Sequence, residues 1–292
     1  MQWHEISIEI PFEYVEPISY LFDRYGHGMS MEILSSDQVM LRTYMPSTSR
    51  QRLAHIEVGV KLISLLQPLG ELKVEPLPPD EDWQNAWKSH FNLLKLGQHL
   101  VIKPSWIEYE PKTDDLVIEL DPGMAFGTGY HPTTYTCLEA LENLIEPGMK
   151  VLDLGVGSGI LTIAAAKMGA ANILAMDIDS VAIKAARQNF HRLGILPQVT
   201  LVQGTLPNPQ ALAGEFDVVV ANISSRAIRE RGAHMLPLLN QQGALIASGI
   251  INEQAEETEE ALEEAGFVVQ NTCPKDDWVT LVCRASILSV LT

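Results

Sequence analysis

The N-terminal part of the chain changes its hydrophobic period in a regular order. Residues 3–10 alternate between apolar and polar side chains, which predicts a half-buried strand. Apolar residues recur at helical spacing over 15–25 and again over 53–66, and glycine or proline follows each stretch. Three further segments have strand patterns, at 29–36, 38–46 and 71–78. The pattern therefore predicts the element order βαββαβ.

This order is that of the ferredoxin-like split unit, so we expect residues 1–78 to form a small α+β domain. Such domains present a sheet face or edge to a partner, which favours a role in substrate recognition. A purely structural appendage stays open as the alternative, because fold alone does not fix function.

A proline-rich boundary follows this predicted domain. Pro76, Pro78 and Pro79 precede a short segment in which Trp83 and Trp87, four residues apart, share one helical face. We predict a helical connector over residues 79–95, with aromatic side chains that pack between domains rather than bind a ligand.

From Lys150 onward, near-continuous apolar strands alternate with amphipathic helices, which predicts a parallel sheet covered on both faces. The last two strand patterns, 267–274 and 277–285, are separated only by a short polar turn and should pair antiparallel. We expect residues 96–292 to form an α/β domain with a doubly wound, mostly parallel seven-stranded sheet that ends in an antiparallel hairpin. This architecture resembles that of class I S-adenosylmethionine-dependent methyltransferases.

Composition and charge narrow the classes of function. The 292 residues are 46% hydrophobic and 20% charged, which is typical of a globular protein with a sizeable core. The net charge of −17 argues against direct nucleic-acid binding, because neutralising phosphates requires a surplus of Lys and Arg. The three cysteines form no CxxC pair, so neither a disulfide framework nor a thiolate metal site is indicated. The alternating, acidic N-terminus is not a signal peptide, and no apolar run is long enough for a membrane helix. We therefore expect a cytoplasmic protein without a membrane partner.

A glycine-rich turn follows the first strand of the large domain. Gly155, Gly157 and Gly159 stand between an apolar strand and an apolar helix, where glycine lets the backbone approach a ligand and the helix N-terminus offers free N–H groups. A dinucleotide fingerprint requires Gly or Ala three residues after Gly157, but Ile160 stands there. The spacing instead resembles the methyltransferase motif, in which the loop wraps an amino-acid moiety.

Two carboxylates follow the second strand. Asp177 ends that strand and is placed to accept hydrogen bonds from both ribose hydroxyls of a nucleoside ligand. Asp179 lies two residues further on and is better interpreted as the N-cap of the next helix. We predict Asp177 as the ribose ligand.

Asn222 closes the fourth strand, which is predicted to lie beside the first. A buried amide must find hydrogen-bond partners, and its carbonyl oxygen can accept an N–H from an amine. The alternative is that Asn222 caps the following helix.

The segment from Asp121 to Thr134 holds three glycines, two prolines and three threonines, which predicts a loop rather than a regular element. The apolar Met124 and Phe126 favour a loop that folds over a bound cofactor, with a plain structural loop as the alternative.

This segment, the Gly155 loop and the sequence Ala221-Asn222-Ile223 together resemble the PrmA family of ribosomal protein methyltransferases. The resemblance implies S-adenosyl-L-methionine as cofactor and a large-subunit ribosomal protein, the eleventh, as substrate. It also implies the contacts of the cofactor. The implied cofactor-binding residues are Thr134, Gly155, Gly157, Asp177 and Asn222, with Phe126 and Gly127 as neighbours.

The resemblance identifies the chain as a protein N-methyltransferase of amino groups, either lysine side chains or an N-terminal amine. Ser224 and Ser225 depart from the aliphatic residue common in the family and border the predicted acceptor slot. Two alternatives therefore stay open: methylation of another protein or small amine, and a non-catalytic, cofactor-binding module associated with the ribosome. We expect Asn222 to be the catalytic residue that orients the amine while water takes its proton, and His131 to pack the loop.

Overall fold

The computed structural model describes residues 3–35, 38–65, 68–77, 92–121, 129 and 131–286. The chain divides into two compact units, Met1–Phe91 and Asn92–Thr292. This division falls inside the predicted connector, most of which, including Trp83 and Trp87, lies outside the described residues. The exact domain boundaries predicted from the sequence, 1–78, 79–95 and 96–292, stay a prediction.

The first unit has the predicted ferredoxin-like order of elements. Its strands and helices are β1 (Trp3–Pro11), α1 (Val15–Tyr25), β2 (Met29–Ile33), β3 (Gln38–Pro46), α2 (Arg50–Ile63) and β4 (Lys73–Pro76). The four strands lie in the order β2-β3-β1-β4, with antiparallel pairing throughout.

Alternation along β1 creates the core of this unit. Ile6, Ile8 and Ile10 point to one face and are at most 1% exposed, where they pack with Ile18 and Phe22 of α1. The period of two in the strand and the period near four in the helix therefore bring one apolar face of each element together.

The second unit contains two sheets and five α-helices among its described residues. Its strands are β5 (Leu94–Leu96), β6 (Leu100–Lys103), β7 (Leu116–Glu119), β8 (Lys150–Leu154), β9 (Asn172–Asp177), β10 (Val199–Gln203), β11 (Phe216–Asn222), β12 (Leu239–Ile251), β13 (Phe267–Lys275) and β14 (Trp278–Ala285). Its helices are α3 (Pro132–Leu144), α4 (Ile160–Lys167), α5 (Ser180–Arg192), α6 (Ser225–Met235) and α7 (Ala255–Glu264).

The large sheet has seven strands in the order β10-β9-β8-β11-β12-β14-β13. The pairs from β10 to β12 are parallel, whereas β14 pairs antiparallel with both β12 and β13. The mostly parallel doubly wound sheet and its closing antiparallel hairpin, both predicted from the sequence, are confirmed.

A small sheet precedes the large one. The strands β6 and β7 pair parallel, while the short strand β5 pairs antiparallel with β6. Glu142 of α3 accepts hydrogen bonds from the backbone N–H groups of Gln98 and His99, both at 2.7 Å, so the C-terminal half of α3 is tied to the β5–β6 turn.

The prediction that residues 121–134 form a loop is wrong at its end, because α3 begins at Pro132. Pro132 occupies the first turn of α3, where its missing N–H costs nothing, and His131 is the N-cap. Thr133 and Thr134 are thus helical and buried. The density of proline and threonine indicated a loop, but these residue types also suit a helix start.

Candidate functional site

Three neighbouring parallel strands end at one edge of the large sheet. The strands β9, β8 and β11 are adjacent, and the chain reverses its direction of travel across the sheet between β8 and β11. Ligands of open α/β sheets bind at such a switch point, outside the carboxyl ends of the strands. The glycines singled out in the sequence follow β8, and Asp177 and Asn222 are the last residues of β9 and β11.

The glycine loop after β8 has a backbone that L side chains rarely adopt. Gly155, Gly157 and Gly159 have φ values of +86°, +53° and +88°. A Cβ atom on Gly155 would come within 2.4 Å of Ile223, and one on Gly159 within 2.3 Å of the Phe190 ring. The loop therefore needs glycine both for its conformation and for close approach to the chain segments after β11 and in α5.

Asp177 joins this loop to the end of β9. Its Oδ2 accepts the backbone N–H of Gly157 at 2.9 Å, and its Oδ1 accepts the backbone N–H of Asp179 at 2.9 Å. A carboxylate has about four acceptor positions, so each oxygen retains capacity for a ligand hydroxyl. Asp179 caps α5 by accepting the backbone N–H of Val181 at 2.8 Å, as predicted.

Asp153 on β8 is a further site residue that the sequence analysis did not identify. It is fully buried, and its Oδ2 accepts the hydroxyl of Thr162 at 2.7 Å, while Oδ1 has no hydrogen-bond partner among the residues that the structure describes. Burial raises the pKa of this carboxyl to about 7, and the nearby Asp177 raises the pKa in the same direction. An ionisable residue inside an otherwise apolar strand was the available sequence signal.

Asn222 and Thr134 meet at the end of β11. The amide Nδ2 of Asn222 donates to Oγ1 of Thr134 over 3.4 Å. Thr134 is fully buried in the first turn of α3, and Asn222 is half-buried. Two predicted site residues that are far apart in sequence therefore lie in contact.

The two serines after Asn222 have structural partners. Ser224 is the N-cap of α6 and accepts the backbone N–H of Ala227, while Ser225 donates its hydroxyl to Gln254. The cap of α6 is therefore Ser224, which rules out the alternative in which Asn222 caps this helix.

His131 lies at the start of α3. Its Nδ1 lies 2.8 Å from the Thr133 hydroxyl, and its ring packs edge-on against Trp278 with 5.0 Å between the ring centroids. Burial lowers the pKa of His131, which favours the neutral imidazole. Phe126 and Gly127, the other residues predicted from this segment, lie outside the described residues.

The charges at the glycine loop favour one type of ligand. Asp177 lies against the loop, and its carboxylate would repel a phosphate group placed there. A ligand with a ribose for Asp177 and no phosphate at the loop fits this arrangement.

Comparisons with known proteins agree over almost the whole chain. The family model described as ribosomal protein L11 methyltransferase (PrmA) matches residues 2–286. The ribosomal protein L11 methyltransferase of Herpetosiphon aurantiacus is 37% identical over 98% of this chain and 100% of that protein. The ribosomal protein L11 methyltransferase of Chloroflexus aurantiacus is 36% identical over 97% of this chain and 98% of that protein.

A solved structure is similar to this chain as well. The crystal structure of a ribosomal protein L11 methylase from Lactobacillus delbrueckii subsp. bulgaricus matches with a TM-score of 0.61 and 34% identity, covering 67% of this chain and 100% of that one. Within the described ranges, every helix is too short or too polar to cross a membrane.

Proposed function

The chain belongs to the ribosomal protein L11 methyltransferase (PrmA) family, and on that basis we propose that it transfers methyl groups from S-adenosyl-L-methionine to amino groups of ribosomal protein L11. The observation that carries this proposal is the contact between Asn222 and Thr134 beside the glycine loop, which brings an amide acceptor next to a candidate cofactor site.

The residues at the loop suit this cofactor. The two oxygens of Asp177 retain acceptor positions for the ribose hydroxyls of the cofactor. The turn from Gly155 to Gly159 lets the cofactor approach the backbone closely. We place Thr134 and Asn222 beside the methyl group of the bound cofactor. When bound, S-adenosyl-L-methionine would supply a methyl group on a positively charged sulfur: the amine nitrogen would gain this methyl group as its carbon–sulfur bond breaks and a neutral thioether leaves.

Asn222 is the residue that we assign to the acceptor. Its Nδ2 is engaged by Thr134, so its Oδ1 is the atom left to accept an N–H from the incoming amine. A hydrogen bond in this direction points the nitrogen lone pair away from Asn222. The amide thus orients the acceptor without taking its proton.

The proton must leave because a protonated amine has no lone pair. At pH 7, deprotonation costs about 4.6 kcal/mol for a lysine and about 1–1.4 kcal/mol for an α-amino group. Water is the proton acceptor in our proposal, because Nδ1 of His131 faces the Thr133 hydroxyl and its ring packs on Trp278. Rates should therefore rise with pH for both amine types, and continue to rise to higher pH for lysine.

We assign recognition of the protein substrate to the N-terminal unit. Residues 1–80 carry 6 basic and 11 acidic side chains, which suits a lysine-bearing partner through electrostatic steering. Glu9 and Glu75 are exposed, on neighbouring strands of its sheet. In the variant carrying both Glu9→Lys and Glu75→Lys, the KM for L11 should rise and the cofactor affinity should stay unchanged. An unchanged KM contradicts the assignment.

The proposal also includes a cytoplasmic location without nucleic-acid or membrane partners, as expected from the sequence.

Transfer of a labelled methyl group tests the proposed function. The purified chain is incubated with radiolabelled S-adenosyl-L-methionine and with ribosomal proteins from a strain that lacks the activity. Label on L11, located on amino groups by mass spectrometry and lost with Asn222→Ala, supports the proposal. Label on another protein or on a small amine, or cofactor binding without transfer, contradicts it and supports one of the two alternatives.

A further inference from the structure

A β-bulge lies in β12 beside the end of β11. The pairing of β12 with β14 shifts register between Ala247 and Ile250, so Ser248 and Gly249 together stand opposite Thr280. Gly249 has a φ of +84°, and a Cβ atom there would lie 2.0 Å from the carbonyl oxygen of Ile223. Bulges of this kind redirect a side chain and occur often beside active sites.

The bulge directs Ser248 toward α3. Ser248 of β12 pairs in register with Asn222 of β11, so it lies level with the residue proposed to orient the acceptor. Its hydroxyl lies 2.5 Å from that of Thr280 and, at the longer distance of 3.4 Å, near the carbonyl oxygen of Thr133 in α3. The Thr280 hydroxyl lies 2.6 Å from that of Thr136 in α3. Three hydroxyls, which we call the hydroxyl chain, thus run from β12 through β14 into the helix.

The hydroxyl chain ends on the first turn of α3. Thr136 donates to the carbonyl of Pro132 over 3.0 Å, with the carbonyl of Thr133 at 3.2 Å. If Ser248 donates to Thr280 and Thr280 donates to Thr136, each of the three protons has an acceptor. Thr134, which meets Asn222, belongs to this same turn of helix.

Burying three hydroxyl groups costs folding free energy, and this cost is unexplained unless the positions that the groups impose have a function. Ser248 and Thr280 are at most 1% exposed and Thr136 is 6% exposed. Valine would fill either threonine position with the same shape and without a buried hydroxyl, and core packing alone favours it. A fully satisfied buried network instead fixes the relative placement of the elements that it joins.

We propose that the hydroxyl chain Ser248–Thr280–Thr136 positions the first turn of α3 relative to β12 and β14. It thereby holds Thr134 against Asn222 for methyl transfer. The inference rests on the proposed function, because the pair that it positions is the proposed site. None of the three hydroxyls is assigned a contact with cofactor or substrate.

Thr280→Val tests the proposal because it removes the middle hydroxyl and keeps the shape. Thr280→Ser restores the hydroxyl, and Thr258→Val is the matched control. Thr258 is fully buried in α7 and donates to the carbonyl of Gln254 over 2.6 Å, away from α3. For each variant the kcat and KM with L11, the melting temperature and the hydrogen exchange of the first turn of α3 are measured.

The proposal predicts a kcat for Thr280→Val that is about 10- to 100-fold lower at saturating substrates, because small misplacements of reacting groups have effects of this size. Thr280→Ser should recover the kcat to within about twofold, and Thr258→Val should lose melting temperature but keep its kcat. A Thr280→Val protein that loses melting temperature but keeps its kcat overturns the proposal.

Hydrogen exchange separates this proposal from the proposed function. If the wild-type protein binds cofactor but methylates no L11, the proposed function fails by itself. The hydroxyl chain is then judged by exchange alone, at the Tyr135 amide, which donates to the carbonyl of His131 over 3.0 Å. Faster exchange of this amide in Thr280→Val supports the hydroxyl chain, and unchanged exchange overturns it.

Discussion

The backbone N–H of Gly157 donates to Oδ2 of Asp177 over 2.9 Å, so the carboxylate that ends β9 also fixes the glycine loop after β8. The same side chain is assigned to the ribose, and these two tasks are compatible because each carboxylate oxygen accepts more than one hydrogen bond. A ligand that binds Asp177 therefore meets a loop that is already ordered.

Asp177→Ala should weaken binding of S-adenosyl-L-methionine by about 30- to 150-fold, because the loss of charge-assisted bonds to two hydroxyls costs about 2–3 kcal/mol. Calorimetric titration measures the affinity. Asp179→Ala is the control, since it removes a neighbouring carboxylate that caps α5 and costs about 1 kcal/mol of folding stability. Unchanged affinity in Asp177→Ala, or an equal loss in Asp179→Ala, contradicts the assignment.

Asp153 should make folding stability depend on pH. The pKa of its carboxyl is about 7 in the folded protein and near 3.8 in the unfolded chain. At a pH between these values the folded state holds a proton that the unfolded state has lost, so stability falls as pH rises through this range. Above pH 7 the full penalty remains, up to about 4 kcal/mol.

Asp153→Asn removes this titration. The free energy of unfolding of the variant, relative to that of the wild-type protein, should therefore increase from about pH 4 to about pH 8. Urea unfolding at several pH values measures the difference. A difference that stays constant across this range shows that Asp153 does not titrate there.

Gly155→Ala should lose more stability than Gly148→Ala. Both glycines have a positive φ, which costs an alanine about 1–2 kcal/mol, but only Gly155 has a side chain, that of Ile223, within 2.4 Å of the added Cβ. A Cβ on Gly148 meets nothing within 4 Å. Because Ile223 follows Asn222, Gly155→Ala should also lower cofactor affinity, whereas Gly148→Ala should leave it unchanged. Equal losses of stability in thermal unfolding are the contrary result.

The arrangement of the large sheet could be predicted from local patterns. The apolar strand runs and the polar turn before Trp278 each have a signal within a few residues, and the glycine turn and Asp177 follow strands directly. The start of α3 at Pro132 was missed because proline and threonine suit both loops and helix starts.

The contacts that join distant segments had no such signal. Thr136 and Thr280 are 144 residues apart, and the bulge at Ser248 shows only as a serine and a glycine inside a strand pattern. Asp153 was overlooked although it is an ionisable residue inside an apolar strand, because the sequence does not show that its side chain is fully buried. Periodicity predicts which face of an element is buried, but not which buried polar atoms meet.

Ser224→Ala tests whether the serines after Asn222 take part in binding the acceptor amine. Ser224 is the N-cap of α6, so its loss should cost about 1 kcal/mol of folding stability. The kcat with L11 should stay within about twofold, because the hydroxyl serves the helix and not the amine. A large drop in kcat with little change in melting temperature indicates instead that Ser224 contacts the substrate.

We assign orientation of the acceptor amine to Asn222, and to His131 a structural role at the start of α3. The direct measurement is the single-turnover rate of methyl transfer to L11, with saturating cofactor, in Asn222→Ala and in His131→Asn, a variant that retains a good helix N-cap. We expect the rate of Asn222→Ala to fall about 100-fold or more, and that of His131→Asn to stay within about tenfold of the wild-type rate. An inactive His131→Asn protein together with a nearly normal rate in Asn222→Ala contradicts both assignments.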